Sequence, residues 1–181
     1  MGNIYIREDV LMNLKEELRK ILETLVKYLE NPEKTKVIVK RRDLINRIYA
    51  HLDDIIYKVT EAISKIEKLN IPARLKPTQD LICSELSEII ECFVTIKGKT
   101  HELISKEEIK KLLLKIKTEC NRNILNVHKY ILKLYNELSQ QGVIDTITIS
   151  ECNEVLRSLG SVCRNIGELN KLMEELGEIG C

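Results

Sequence analysis

The chain has 181 residues, of which 44% are hydrophobic and 31% are charged, and its formal net charge is +1. This composition excludes an intrinsically disordered chain, and the small net charge leaves any case for nucleic-acid binding to local basic segments. A chain of this length is about one domain and can bury a core without disulfides or metals. We therefore expect a single helical-bundle domain over residues 1–181.

The first predicted helix covers residues 9–30. Its apolar residues recur in alternating steps of three and four, which is the spacing of one helix face in a coiled coil. This apolar stripe consists of Leu11, Leu14, Leu18, Ile21, Leu25 and Tyr28. The pair Asn31-Pro32 ends the helix, because proline cannot continue it and disfavours helical geometry in the residue before it.

Two short β-branched segments suggest a minor extended element beside the helices. Residues 37–39 read Val-Ile-Val, and residues 4–6 read Ile-Tyr-Ile. Such residues are enriched in strands. We therefore allow for a short β-ribbon between residues 4–6 and 37–39.

The remaining apolar stripes predict four more helices, over residues 41–70, 79–97, 106–140 and 149–178. The second helix has an apolar face broad enough to touch two or more neighbours. In the fourth helix, two successive four-residue steps around Cys120–Ile124 form a stutter, where the inward face drifts. The fold prediction is thus an all-α bundle of about five helices, with the second, fourth and fifth forming its core.

Two segments resemble capping boxes, in which a hydroxyl and a glutamate three residues later satisfy free backbone N–H groups at a helix start. Ser105 with Glu108 predicts the start of the fourth helix. Thr148 with Glu151 predicts the start of the fifth. Both boxes precede long apolar stripes, which supports these two helix boundaries.

Six cysteines are present, and none forms a C-x-x-C pair, which argues against a zinc ribbon or a thioredoxin-type site. Cys120 and Cys152 fall on predicted core stripes, where a free cysteine behaves as a small hydrophobic side chain. A disulfide is the alternative if the source is a hyperthermophile, where intracellular disulfides occur. The abundance of Lys, Ile and Glu fits an AT-rich genome such as that of a thermophile.

No metal site or cofactor is predicted. Glu85, Glu88 and Glu91 step by three along the third helix, but no histidine lies at the spacing that a helical di-metal site requires. Hydrophobic runs are broken by charge within one or two turns, so no membrane-spanning segment is expected. The first residues also reach charge too soon for a secretory signal, and we expect a cytoplasmic protein.

Two basic segments are candidates for contact with phosphates or an acidic partner. One lies between the first two helices and the other on the fourth helix. The candidate nucleic-acid-binding residues are Lys36, Lys40, Arg41, Arg42, Lys111 and Lys115. The alternative is a solvated basic face that balances the acidic last third of the chain.

A nine-residue string from Arg122 to Tyr130 contains an arginine, an asparagine directly after it, and His128. It resembles the Arg-(four to six residues)-His motif of HEPN domains, which are helical ribonuclease and toxin–antitoxin modules. The resemblance implies that His128 would act in general acid–base catalysis and Arg122 would stabilise phosphate charge, with two protomers bringing them together. The alternative is a surface arginine and a half-buried histidine without a catalytic role.

Broad apolar stripes on every predicted helix leave more hydrophobic surface than one small bundle needs. The leading hypothesis is therefore a non-enzymatic interaction or regulatory module that forms a homo-oligomer or binds a protein partner through apolar helix faces. The alternative hypothesis is a nucleic-acid-directed protein, either a phosphate-backbone binder or a HEPN-like ribonuclease.

Overall fold

The computed structural model describes residues 8–101, 103–140, 142 and 145–179, with no side-chain detail for residues 8–13, 28 and 29. The helices are α1 (Glu8–Leu29), α2 (Pro32–Glu67), α3 (Lys76–Lys99), α4 (Lys106–Lys115), α5 (Asn121–Gln140) and α6 (Thr146–Glu178). A π-helical turn, Ile116–Cys120, joins α4 to α5 without a break. Counted in this way, the described residues form five helices, and the prediction of an all-α bundle is confirmed.

The chain divides into two units, Met1–Lys40 and Arg41–Cys181, with the boundary inside α2. The first unit contains α1 and the opening turns of α2. The second contains the rest of α2 and the four helical segments that follow. Whether the chain behaves as one domain over residues 1–181 stays a prediction.

The second unit is an up-and-down bundle of four long helices. Asp53 of α2 accepts from Lys97 of α3 at 2.6 Å, and the Glu88 carboxylate of α3 accepts from Asn123 of α5 at 2.9 Å. Between α2 and α6, Lys58 Nζ donates to Ser161 Oγ at 2.9 Å. A second contact in each pair gives the direction: Gln79 donates to the carbonyl of Ile66, Asn126 donates to Glu85, and Lys65 pairs with Glu154. Rising residue numbers on one helix thus meet falling numbers on the next, so neighbouring helices are antiparallel.

The core of this bundle is built from the apolar stripes of all its helices. Steps of three and four place one side chain per turn on the inward face, so each stripe is removed from water along its length. In α3, which was not among the three helices predicted to form the core, Phe93 has no exposed surface. The three helices predicted to form the core therefore share it with α3, whose inward residues are Ile82, Leu86, Ile89, Phe93 and Ile96.

The predicted β-ribbon is wrong for residues 37–39, which are helical and lie in the second turn of α2. Residues 4–6 lie outside the described part of the chain. The helix begins early because Asn31 caps it, with its Oδ1 accepting from Lys34 N at 3.3 Å. Pro32 then occupies the first helical position, where its missing N–H costs nothing. A good helix start thus outweighs the strand preference of three β-branched residues.

The two predicted capping boxes have different outcomes. At Ser105 the box is present, because Glu108 N donates to Ser105 Oγ at 3.2 Å and Ser105 N donates to Glu108 Oε2 at 2.9 Å. At Thr148 the prediction is wrong, since α6 begins earlier with Asp145 as its cap. Thr148 N donates to the Asp145 carboxylate at 2.6 Å. Asp145 is an equally favourable cap placed three residues upstream.

The predicted stutter in the fourth helix corresponds to the π-helical turn at Ile116–Cys120. A π-turn contains one extra residue per hydrogen-bonded ring, so it can absorb a locally displaced apolar stripe. Ile116, Cys120 and Ile124, spaced four apart, are all buried. The helix therefore keeps its inward face across the irregular spacing.

Candidate interaction surface

The apolar stripe of α1 lies on the surface of the molecule. Its described side chains, together with two neighbours, are each between 49% and 60% exposed. We call this surface the α1 face; it consists of Leu14, Leu18, Ile21, Leu22, Leu25 and Val26. Comparable stripes in α2 to α6 are buried, so the same sequence pattern has a different environment in α1.

The first unit has no core of its own among its described side chains. None of them is buried, and only Thr35 is partly shielded from solvent. Val37, Ile38 and Val39 in the opening turns of α2 are 36%, 44% and 63% exposed. Exposed apolar side chains at this density are uncommon on the surface of a monomeric protein.

An isolated amphipathic helix gains little stability from its own hydrogen bonds. In α1 the described polar contacts are local and exposed, such as Arg19 Nε donating to Glu23 Oε1 at 3.0 Å. A pair of this kind contributes only about 0.3–0.5 kcal/mol. Burial of the α1 face against a partner is therefore the largest available source of stability for this helix.

The basic candidates are divided between the two units of the chain. Lys36 and Lys40 belong to the first unit, whereas Arg42, Lys111 and Lys115 belong to the second. Lys36 is paired with Glu33 at 3.0 Å, and Lys115 lies 3.7 Å from Glu119. Lys36 and Lys115 thus each have an acidic neighbour one turn away along the chain.

Arg41 has a structural position within the second unit. It is 7% exposed, and its guanidinium donates to the carbonyl oxygens of Ile104 and Ile179, each at 2.9 Å. It thereby links α2 to the segment before α4 and to the residue after α6. A guanidinium suits this task because it presents several donors in a fixed plane.

We expect Arg41→Ala to lower the free energy of unfolding by about 2–3 kcal/mol, because one buried and one partly buried carbonyl lose charge-assisted hydrogen bonds. The measurement is chemical denaturation followed by far-ultraviolet circular dichroism. The adjacent Arg42 is exposed, so Arg42→Ala is the matched control and should change stability by less than about 0.5 kcal/mol. Equal effects of the two substitutions would contradict the structural role of Arg41.

Arg122 and His128 are both exposed and both lie on α5. The π-turn ends at Cys120, so the helix between them is regular and they project about 120° apart. Arg122 Nε donates to Asn123 Oδ1 at 3.4 Å, and the buried Asn123 donates to Glu88. The residue that follows the arginine in the HEPN-like string is therefore engaged in packing α5 against α3.

Two polar contacts between α3 and α5 were not foreseen from the sequence. Besides Asn123 with Glu88, Asn126 Nδ2 donates to Glu85 Oε1 at 3.0 Å. The three-residue spacing of Glu85 and Glu88, matched by that of Asn123 and Asn126, is a signal that could have paired these helices. Their role is to fix the helix pair, because each amide donates to a carboxylate at the edge of the core.

The described cysteines comprise one disulfide and three free thiols. Cys92 of α3 is bonded to Cys120 of the π-turn, across a sequence separation of 28. Burial raises the pKa of the Cys152 and Cys83 thiols to about 11. These thiols are protonated near neutral pH and are poor nucleophiles. Of the alternatives for Cys120, the disulfide is the one that the structure contains.

The surface pairs between α2 and α6 behave as ordinary ion pairs. A hydrogen bond between Lys65 and Glu154 raises the pKa of the lysine and lowers the pKa of the glutamate.

Over the described ranges of the chain, no three His, Cys, Asp or Glu side chains are grouped so that they could hold a metal ion. In the same part of the chain, no helix is long and apolar enough to cross a bilayer.

Comparison with known proteins gives no relative: no family model, no curated protein and no solved structure matches the chain.

Proposed function

We propose that this protein is a non-enzymatic interaction module that associates with a protein partner through the α1 face. The observation that carries the proposal is the exposure of every described side chain of an apolar heptad stripe, on a helix whose unit has no buried described side chain. A stripe spaced by three and four is the pattern by which one helix packs its side chains between those of another. The second unit supports this reading, since its own stripes are already buried.

The test is to replace Leu18 and Leu25 with aspartate in the full-length chain. Both side chains are about half exposed, so the double variant should leave the second unit folded. It should weaken association by at least about 100-fold, because two leucines lose their burial and two charges would have to be desolvated. Association is measured by sedimentation equilibrium and by mass spectrometry of proteins that co-purify with the chain.

Leu125→Asp is the matched control. It places the same charge at a leucine that is 71% exposed on α5, so a general effect of surface aspartates on solubility would appear in both variants. Unchanged self-association and unchanged co-purification in the Leu18→Asp, Leu25→Asp variant would sink the proposal.

A nucleic-acid-directed function is the second candidate, favoured by the exposure of Arg122 and His128 on one helix. The corresponding test is fluorescence anisotropy with labelled single-stranded RNA and duplex DNA over a salt series, followed by a gel of the RNA. Binding that weakens steeply with salt would indicate phosphate contacts. RNA cleavage that His128→Ala abolishes and Lys129→Ala does not would favour the ribonuclease.

A further inference from the structure

The charges of α1 are unequally distributed along its length. Residues 8–17 contain four carboxylates and one lysine, whereas residues 18–29 contain three basic residues and one glutamate. The first half of the helix is therefore acidic and the second half basic. The helix dipole has the opposite sense, positive at the N-terminus, and this order of charge suits it.

A helix with this polarity is complementary to a copy of itself that runs in the opposite direction. In an antiparallel pair, the acidic half of each helix lies beside the basic half of the other, and the two helix dipoles also oppose each other. In a parallel pair, like charges would face like charges along the whole length. An unrelated partner would need this charge order and the same heptad spacing, and a second copy supplies both.

We infer that the α1 face is covered by α1 of a second copy of this chain, in antiparallel orientation. The inference rests on the proposed function and names its partner. The pair would be isologous, with the same residues contributed by both protomers around a two-fold axis. Helix α1 is about 33 Å long, and Leu18 and Ile21 lie near its midpoint, so they would lie closest to the two-fold axis.

The decisive variant inverts the charge order without changing the net charge: Glu16→Lys, Glu17→Lys, Arg19→Glu and Lys20→Glu, made together. These positions are exposed and lie outside the α1 face. The variant helix is basic first and acidic second, so it remains complementary to itself in an antiparallel pair. Against the native helix it would be complementary only in a parallel pair.

The experiment mixes isotope-labelled native chain with the charge-inverted chain, and native mass spectrometry measures the fraction of mixed dimers. We expect homodimers of each chain, with the mixed dimer well below the random value of one half. Raising the salt concentration should weaken both homodimers and bring the mixture toward that value. Circular dichroism of each chain checks that the variant remains helical.

A mixed fraction of one half at low salt, or above it, would overturn the antiparallel arrangement. A native chain that stays monomeric over the whole concentration range would overturn self-association through α1. In that case, co-purification that still depends on Leu18 and Leu25 would leave the proposed function in place with a different partner. If the native chain stays monomeric and co-purification does not depend on Leu18 and Leu25, the proposed function is overturned as well.

Discussion

Replacement of Phe93 by alanine is expected to lower the free energy of unfolding by about 3–5 kcal/mol. Phe93 is the one phenylalanine of the chain and has no exposed surface. It lies on α3, between helices whose other core side chains are mainly Leu, Ile and Val. Those branched side chains cannot collapse fully into the space that a phenyl ring leaves, so a cavity adds to the lost burial.

The measurement is urea denaturation of the full-length variant, monitored by the helical signal. Val94→Ala is the matched control on the same helix, because Val94 is 53% exposed and its truncation should cost less than about 0.5 kcal/mol. Phe93→Leu should fall between the two, at about 1–2 kcal/mol, since leucine fills part of the space. A loss of less than 1 kcal/mol for Phe93→Ala would show that the ring is not in a closed core.

Removal of the Cys92–Cys120 disulfide is the second large effect. The bond closes a loop with a sequence separation of 28, and the loss of chain entropy in the unfolded state predicts a stabilisation of about 3–4 kcal/mol. The bond also holds the π-turn against α3. We therefore expect the Cys92→Ala, Cys120→Ala variant to unfold at a clearly lower denaturant concentration than the native chain.

Treatment with a reductant distinguishes the contribution of the disulfide bond to stability from that of the packing of the two sulfur atoms. With a dithiol reductant, native protein should lose most of the same stability, whereas the double variant should be insensitive to it. Cys163→Ala is the control, because Cys163 is an exposed free thiol. Peptide mapping after alkylation should label Cys92 and Cys120 only when the unfolded chain has been reduced. Labelling of both without reduction would contradict the bond.

The π-turn connects this disulfide with the sequence pattern that preceded it. Cys120 belongs both to the displaced apolar stripe and to the disulfide, and it has no exposed surface. The stripe predicted that this position faces inward, and it does. The partner of Cys120 could not be predicted, because the spacing of apolar residues along each helix does not determine how close two helices lie in space.

The sequence by itself determined the helices, their approximate bounds and the inward face of each helix in the second unit. This works because the hydrophobic period of an α-helix is a local property, fixed by 3.6 residues per turn. The capping box at Ser105 is local in the same sense, since its partners lie three residues apart. Where a local signal failed, as at residues 37–39 and Thr148, a helix start a few residues upstream extended the helix through it.

Only the tertiary structure decided which stripes are covered and which charges are buried. The stripes of α1 and α2 have the same spacing, yet Leu18 is 53% exposed while Leu52 is fully buried. Arg41 and Arg42 are chemically alike in the sequence, yet only Arg41 donates to the carbonyls of Ile104 and Ile179. Burial of a helix face depends on which other segments pack against it. The hydrophobic periodicity shows which side of the helix is apolar, but it does not show which segment covers that side.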